Sequence, residues 1–344
     1  MSAPAGRIAR LLHLGNVVID VVLNVPALPE RGSDVLADAT ATTPGGGFNV
    51  MAAAARQGLP VAYAGAYGTG PFATLARSAL AAEGIDILLP PTPGRDTGIV
   101  VAIVEGGGER TFVTATGAED SLTAAGLAAV RAGPGDAVYL SGYGLMHPSN
   151  RPALLGWLPS LDERSVLFFD PGPLVDRIPP AALAQVLHRA DWLTCNGREA
   201  ALLKAASMAQ EDPGHRRPRF LQDHGGRSGH LAAELTELAH TLAGQTVDSG
   251  RGGGVIVRIG QAGCIVAPAG AAAVHIPGFQ VQAIDTNGAG DTHAGAFIAA
   301  LAAGADPPAA ARLANAAAAF SVTRPGPAAA PTTAELTDFL AHHS

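Results

Sequence analysis

The residues best suited to chemistry lie in one stretch, Asp285-Thr286-Asn287-Gly288-Ala289-Gly290-Asp291, which runs directly into the apolar segment 292–301. Three small residues, then an acid, then apolar positions at helical spacing describe a tight turn feeding the N-terminus of a buried helix. Backbone N–H groups at such a turn point outward with the positive end of the helix dipole behind them. The amides of Gly288, Ala289 and Gly290 therefore form an anion site that a phosphate can approach closely. Asp291 stands where a carboxylate is pre-oriented beside that anion. This suits a base that takes the proton from a hydroxyl as it attacks a phosphoryl group held by the amides. The structural alternative is an ordinary glycine loop with Asp291 as a helix N-cap.

A second turn, Pro44-Gly45-Gly46-Gly47-Phe48-Asn49, opens a helical run at 50–57 that Gly58 closes. Its backbone can hold a substrate closely, and Asn49 offers both a donor and an acceptor to sugar hydroxyls. The glycine spacing does not match a dinucleotide fingerprint. Asp20 follows the apolar run 8–14 and Gly15, which places it just past a strand's carboxyl end, where open α/β sheets bind ligands; a capped turn is the alternative. Asn196 and Glu199 read as a helix cap and its third residue, or as two groups facing a metal-phosphate unit through water. Arg258, Gly260 and Gln261 end another strand and begin its glycine turn at the same edge.

The elements that must position these groups alternate regularly. Runs at 8–14, 61–65, 137–140, 166–170, 192–195 and 255–259 read as buried strands with helices between them, which predicts a doubly wound, mostly parallel α/β sheet flanked by helices. The whole chain, 1–344, reads as one such domain. Two excursions leave it. Residues 21–43 are extended and broken by Pro26, Pro29 and Gly32, and 97–105 returns as 110–114 across three glycines. Together, segments of about 19–43 and 96–116 predict a small β lid over the Gly45 turn, against the alternative of a plain edge hairpin. Residues 207–230 lack periodicity and read as an exposed insertion whose histidines are not spaced for a metal. Helices are expected at 307–322 and 335–341.

Composition narrows the partners. The 344 residues carry 22 Lys and Arg against 29 Asp and Glu, a formal charge of -7, so there is no basic footprint for nucleic acid or an anionic membrane. A small soluble substrate is the expected partner. Cys195 and Cys264 are the only cysteines, too few for a disulfide framework or a cysteine zinc site. No segment reaches a membrane-spanning length free of Gly, Pro and charge, so a cytoplasmic location is expected. Lys204, the only lysine, lies inside an apolar helical segment rather than after a glycine loop. That excludes a Walker A loop and a protein-kinase site, both of which set a lysine against the phosphates.

The two glycine turns, the βα alternation between them, the hairpin Gly108-Glu109-Arg110-Thr111-Phe112 and the pair Asn196 and Glu199 resemble the ribokinase-like (PfkB) carbohydrate kinase family over nearly the whole chain. The resemblance implies an ATP- and Mg2+-dependent transfer of the γ-phosphoryl group to a hydroxyl of a sugar or sugar-like molecule. It implies that Asp291 is the base, that Gly288, Ala289 and Gly290 form the anion hole, and that Asp20, Gly45, Gly46 and Asn49 bind the sugar. Asn196 and Glu199 would hold hydrated magnesium, Arg258, Gly260 and Gln261 would line the nucleotide, and Asn315 would lie near the adenine. A monovalent cation such as K+ would sit among Asp285, Asn287, Ser321, Arg324 and Gly326. The chain departs from ribokinases at Gly46, where they carry lysine, and at Met51, where a small residue is usual. Ser141, Gly142 or Tyr143 replaces their strand-end carboxylate, and Ala330 stands where a serine is common. These departures leave the sugar open. A nucleoside kinase of the same fold and a non-catalytic sugar or nucleotide sensor are the alternatives. Few aromatics near the lid (Phe48, Phe112, Tyr143) argue against a stacked base, and intact Asp291, Asn196 and Glu199 argue against a sensor. An apolar lid edge would allow a homodimer.

Overall fold

Short apolar runs can stay ordered only when neighbouring strands and covering helices bury them on both faces. The computed structural model, which describes residues 8–107, 109–211, 228–246 and 253–343, shows that arrangement. The chain opens with β1 (Arg10–Leu14), β2 (Val17–Val25), β3 (Ala39–Gly46), α1 (Gly47–Arg56), β4 (Val61–Tyr63), α2 (Pro71–Ala82), β5 (Asp86–Ile87), β6 (Ile99–Glu105) and β7 (Arg110–Ala115). It continues through α3 (Ala124–Ala128), β8 (Asp136–Ser141), α4 (Gly142–Met146), α5 (Asn150–Trp157), β9 (Val166–Asp170), α6 (Pro180–Arg189), β10 (Trp192–Asn196), α7 (Gly197–Glu211) and α8 (Ser228–Thr246). The last part holds β11 (Gly254–Arg258), β12 (Cys264–Pro268), β13 (Val274–Ile276), α9 (Ala289–Ala302), α10 (Pro307–Val322) and α11 (Thr333–His342).

The main sheet runs β13-β12-β11-β10-β9-β8-β1-β4-β5, with every pairing from β11 to β5 parallel. The antiparallel β12 and β13 extend one edge and were not expected from sequence; Gly263, which turns the chain back with φ 97°, is the signal for them. Adjacent residues of each strand enter opposite cores, as a period of two requires. Leu11, Phe168 and Ile256 pack with Met51 of α1 and Phe297 of α9, whereas Leu12, Phe169 and Val255 pack with Trp157, Leu183 and Leu238.

The second sheet, order β3-β2-β6-β7, is the small lid. Asp20 lies inside β2, paired with Thr43 of β3 and Val100 of β6, so it belongs to a lid strand rather than to a turn after β1. Helices also enter both ends of the expected insertion, because α7 reaches Glu211 and α8 begins at Ser228; residues 212–227 lie outside the described residues. No helix among the described residues is long and apolar enough to cross a membrane.

Two helices carry the candidate site, and they touch through a glycine. A Cβ added at Gly295 of α9 would fall 2.2 Å from the Val50 carbonyl oxygen and 2.8 Å from Ala53 Cβ of α1. The Gly295→Val variant is expected to lose about 1–3 kcal/mol of stability through overpacking. Urea unfolding measures this, and an unchanged midpoint would show that the helices do not meet there.

Candidate active site

Helix α9 begins after Gly288, whose φ of 73° lies in the left-handed region that favours glycine, and no side chain caps it. The first-turn amides therefore keep their outward donors, with one exception: the Ala289 N–H makes a long 3.4 Å turn contact to the Thr286 carbonyl. Asp291 is the third residue inside the helix, not its cap. Asn49, buried on α1, donates from Nδ2 to Asp291 Oδ2 at 3.1 Å and fixes one carboxylate oxygen. Burial pushes the Asp291 carboxyl up to about 7. Asn49 and Arg258 oppose that rise, while Asp170 and Asp20 add to it. A carboxylate in this range can both accept a proton and release it near neutral pH.

Beside this turn lies a fixed cation. Arg258, at the end of β11, donates to Thr194 Oγ1 at 2.5 Å and to Asp170 Oδ2 at 3.2 Å, and its Nη2 is 3.8 Å from Glu199 Oε2. A Cβ on Gly290 would stand 3.3 Å from Arg258 Nε, so the guanidinium rests against the anion turn. Burial disfavours the Arg258 charge, but Asp170 and Glu199 outweigh it and hold the pKa above its ordinary value. Asp170 also accepts from the Gly172 N–H at 2.9 Å. Tyr139 and Tyr143 stand close enough to feel Asp170 and Asp291, and burial first of all raises their pKa. Sequence reasoning missed Asp170 and Thr194 as site residues. The available signal was an acid, followed by Pro171 and Gly172, at the end of an apolar strand.

Asn196 and Glu199 form the reciprocal cap their spacing suggested. The Glu199 N–H donates to Asn196 Oδ1 at 2.9 Å, and the Asn196 N–H donates to Glu199 Oε2 at 2.8 Å. The pair therefore has a structural role whatever else it holds. Burial, then Asp170, raises the Glu199 pKa. Among the described residues no three His, Cys, Asp or Glu side chains converge on a metal. Asn196 and Glu199 carry the oxygen donors that could meet a magnesium ion through water.

On the lid side, burial pushes Asp20 up to about 6, and the nearby Asn287 side chain opposes that rise. Gly45 lies so near that a Cβ there would meet Asp20 Oδ2 at 2.3 Å, and Gly46 completes the strand that leads into α1. Asn49 Oδ1 and Thr43 Oγ1 are buried with no protein partner among the described residues. Asp285 pairs with Arg110 of β7 at 2.6 Å and accepts the N–H groups of Asn287 at 2.9 Å and Gly326 at 3.0 Å. Burial works against its charge, yet these three donors outweigh it and keep its pKa below the ordinary value.

The remaining expected residues are spread more widely. Gly260 and Gln261 are exposed in the turn between β11 and β12. Asn315 is buried on α10, where its amide donates to the carbonyls of Ile276 and Pro277 and its oxygen meets His293 Nε2 at 3.2 Å. The Ser321 hydroxyl bonds to the Ala318 carbonyl, and Arg324 turns outward to Glu335 and over the Phe320 ring. Asp285, Asn287 and Gly326 thus come together, whereas the side chains of Ser321 and Arg324 are engaged elsewhere.

Comparison with known proteins gives the family and the fold. Residues 9–334 match the model of the pfkB family carbohydrate kinases. The chain is 34% identical over 333 residues to an uncharacterized sugar kinase, YegV, of Escherichia coli, covering 96% of this chain and 94% of that protein. It is 28% identical to a ribokinase of Haemophilus influenzae, over 96% of this chain and 98% of the relative. A ribokinase of Cryptococcus neoformans solved with ADP shares the fold, with a TM-score of 0.73 at 21% identity over 96% of this chain and 99% of its own. The chain therefore belongs to the pfkB family of carbohydrate kinases, phosphotransferases with an alcohol as acceptor.

Proposed function

We propose that this kinase transfers the γ-phosphoryl group of ATP, bound as its magnesium complex, to a hydroxyl of an uncharged sugar or sugar-like acceptor. One observation carries the reading: Asp291, with its pKa near neutrality, is held by Asn49 beside an uncapped helix N-terminus. The acceptor oxygen forms its bond to the γ-phosphorus while the bond to the bridging oxygen breaks and ADP leaves. The hydroxyl proton passes to Asp291. The amides of Gly288, Ala289 and Gly290 and the Arg258 guanidinium offset the charge on the transferring group, which supplies without a lysine what phosphoryl transfer chiefly needs. Asn196 and Glu199 hold the hydrated magnesium. Arg258, Gly260 and Gln261 line the nucleotide, and Asn315 supports that wall through the Ile276 and Pro277 carbonyls.

Asp20, Gly45, Gly46 and Asn49 form the acceptor wall. Asp20 and Asp291 face it with carboxylates, and the arginines nearby, Arg110 and Arg258, are matched by Asp285 and Asp170. A phosphorylated or carboxylated acceptor would meet uncompensated repulsion there, which favours a neutral polyol. Arg110 already gives Asp285 a positive charge, which weighs against a potassium requirement. Tyr143, half-buried at the cleft, is the observation that keeps nucleosides in view, since its ring could stack on a base. The exposed Phe112 and Val113 of β7 offer an apolar edge for a second copy, so a dimer through the lid belongs to the same reading.

Release of ADP over a panel of neutral sugars, sugar phosphates and nucleosides tests the assignment. Turnover is expected with neutral acceptors, and Asp291→Asn is expected to lower kcat by about 10²–10⁴-fold, the range for a general base. Unchanged turnover in that variant would remove the base. Folding raises the Asp291 pKa above its unfolded value of about 4, so its contribution to stability is full below about 4 and is lost as pH rises through about 7. Asp291→Asn is therefore expected to melt no lower than the native protein at pH 8, which separates lost chemistry from lost fold.

The same carboxyl sets a pH profile. Because the ionised form is the base, kcat/KM is expected to climb with pH to a plateau, with a midpoint near 7. Asn49→Ala deletes a donor that favours the ionised form, so the midpoint is expected to move to higher pH. A midpoint that stays put, or falls, would show that Asn49 does not act on the base.

A further inference from the structure

Strand β7 is exposed from Thr111 to Ala115; Arg110 alone is half-buried, and it reaches Asp285 across 175 positions of sequence. The Asn287 side chain, two residues on, lies near enough to Asp20 on β2 to favour its ionised form. The lid thus holds the segment 285–287 at Asp285, and that segment leads directly into the turn that opens α9. Below it, the Ile284 and Asp285 N–H groups donate to the Val322 carbonyl at 2.7 and 3.1 Å. From Phe279 to Gly288 the chain has no helix or strand of its own, so these contacts set its path. The Asp285 carboxylate is the junction. It receives the Asn287 and Gly326 amides from the loop side and the Arg110 guanidinium from the lid.

We propose that Arg110 is a positioning residue: its ion pair with Asp285 ties the aim of the Gly288–Gly290 amides to the seating of the lid. The inference rests on the kinase reading given above. It adds that the anion turn is in register for transfer only while the lid is docked, the state an acceptor bound between Asp20 and Asn49 favours. The pair is short, charge-assisted and only 26% and 21% exposed, so it is screened less than a surface pair. Transfer is sensitive to small displacements, and a shift of about 1 Å in a positioning group can cost about 10²-fold in rate.

Two readouts on Arg110→Met, Arg110→Lys and Asp285→Asn test this. In turnover, Arg110→Met is expected to lower kcat about 10- to 10²-fold, with nucleotide Kd from calorimetry changed less than about twofold and Arg110→Lys recovering part of the loss. The double variant Arg110→Met/Asp285→Asn is expected to be no slower than the worse single one, because both remove the same pair. The second readout needs no turnover: amide hydrogen exchange at 284–288 is expected to quicken in Arg110→Met and partly recover in Arg110→Lys. If the native protein phosphorylates nothing on the panel but exchange responds in this way, the kinase reading fails and the coupling stands. If exchange at 284–288 is unchanged, or the single effects on kcat multiply in the double variant, the coupling is overturned whatever the native turnover.

Discussion

The structure depends on one electrostatic balance, struck where α9 begins. An uncapped helix N-terminus and the Arg258 guanidinium supply positive charge at the turn, while Asp291, Asp170, Glu199 and Asp20 set carboxylates around it. Burial above all, with Asp170 and Asp20 nearby, pushes the Asp291 carboxyl up, and Asn49 opposes that rise through a single hydrogen bond. Asp170 is the counterweight. By binding Arg258 it fixes a guanidinium beside Gly290.

That balance is built from packing. Asn49 and Asp291 come from helices separated by 242 positions of sequence, and they meet because α1 and α9 approach at Gly295 closely enough to exclude any side chain. The parallel strands bring Asp170, Asn196 and Arg258 to one carboxyl edge, where an open α/β sheet binds its ligands. The lid closes the other side with Asp20 and Arg110. The chain manages this with a single lysine, far from the turn in sequence, so the positive charge beside the anion site comes from arginine and from backbone dipoles. A fixed, planar guanidinium suits that task, since it can be clamped by several oxygens at once.

Much of this was legible in the sequence. Small residues before Asp291 announced a helix start, and the strand and helix runs announced the sheet, because period and turn chemistry are local properties. What escaped was non-local. Asp20 had two readings, a capped turn after the first strand or a place in the lid segment 19–43, and only the pairing of β2 with β3 and β6 decides between them. Asp170 looked like the end of a strand because its importance comes from Arg258, which lies 88 positions away. Asn315 carried the expectation of a nucleotide neighbour, yet its amide is spent on two carbonyls and a histidine of the interior. Hydrogen-bond satisfaction of that kind is a property of the fold and cannot be read from spacing.

In the proposed reaction Asp291 receives the proton of the attacking hydroxyl. A crystal structure with a neutral acceptor and a non-hydrolysable ATP analogue tests it most directly. An acceptor hydroxyl is expected about 2.6–3.2 Å from an Asp291 carboxylate oxygen, with the terminal phosphate on the amides of the Gly288–Gly290 turn. An acceptor whose hydroxyls all lie beyond reach of Asp291, or a terminal phosphate held away from that turn, would contradict it.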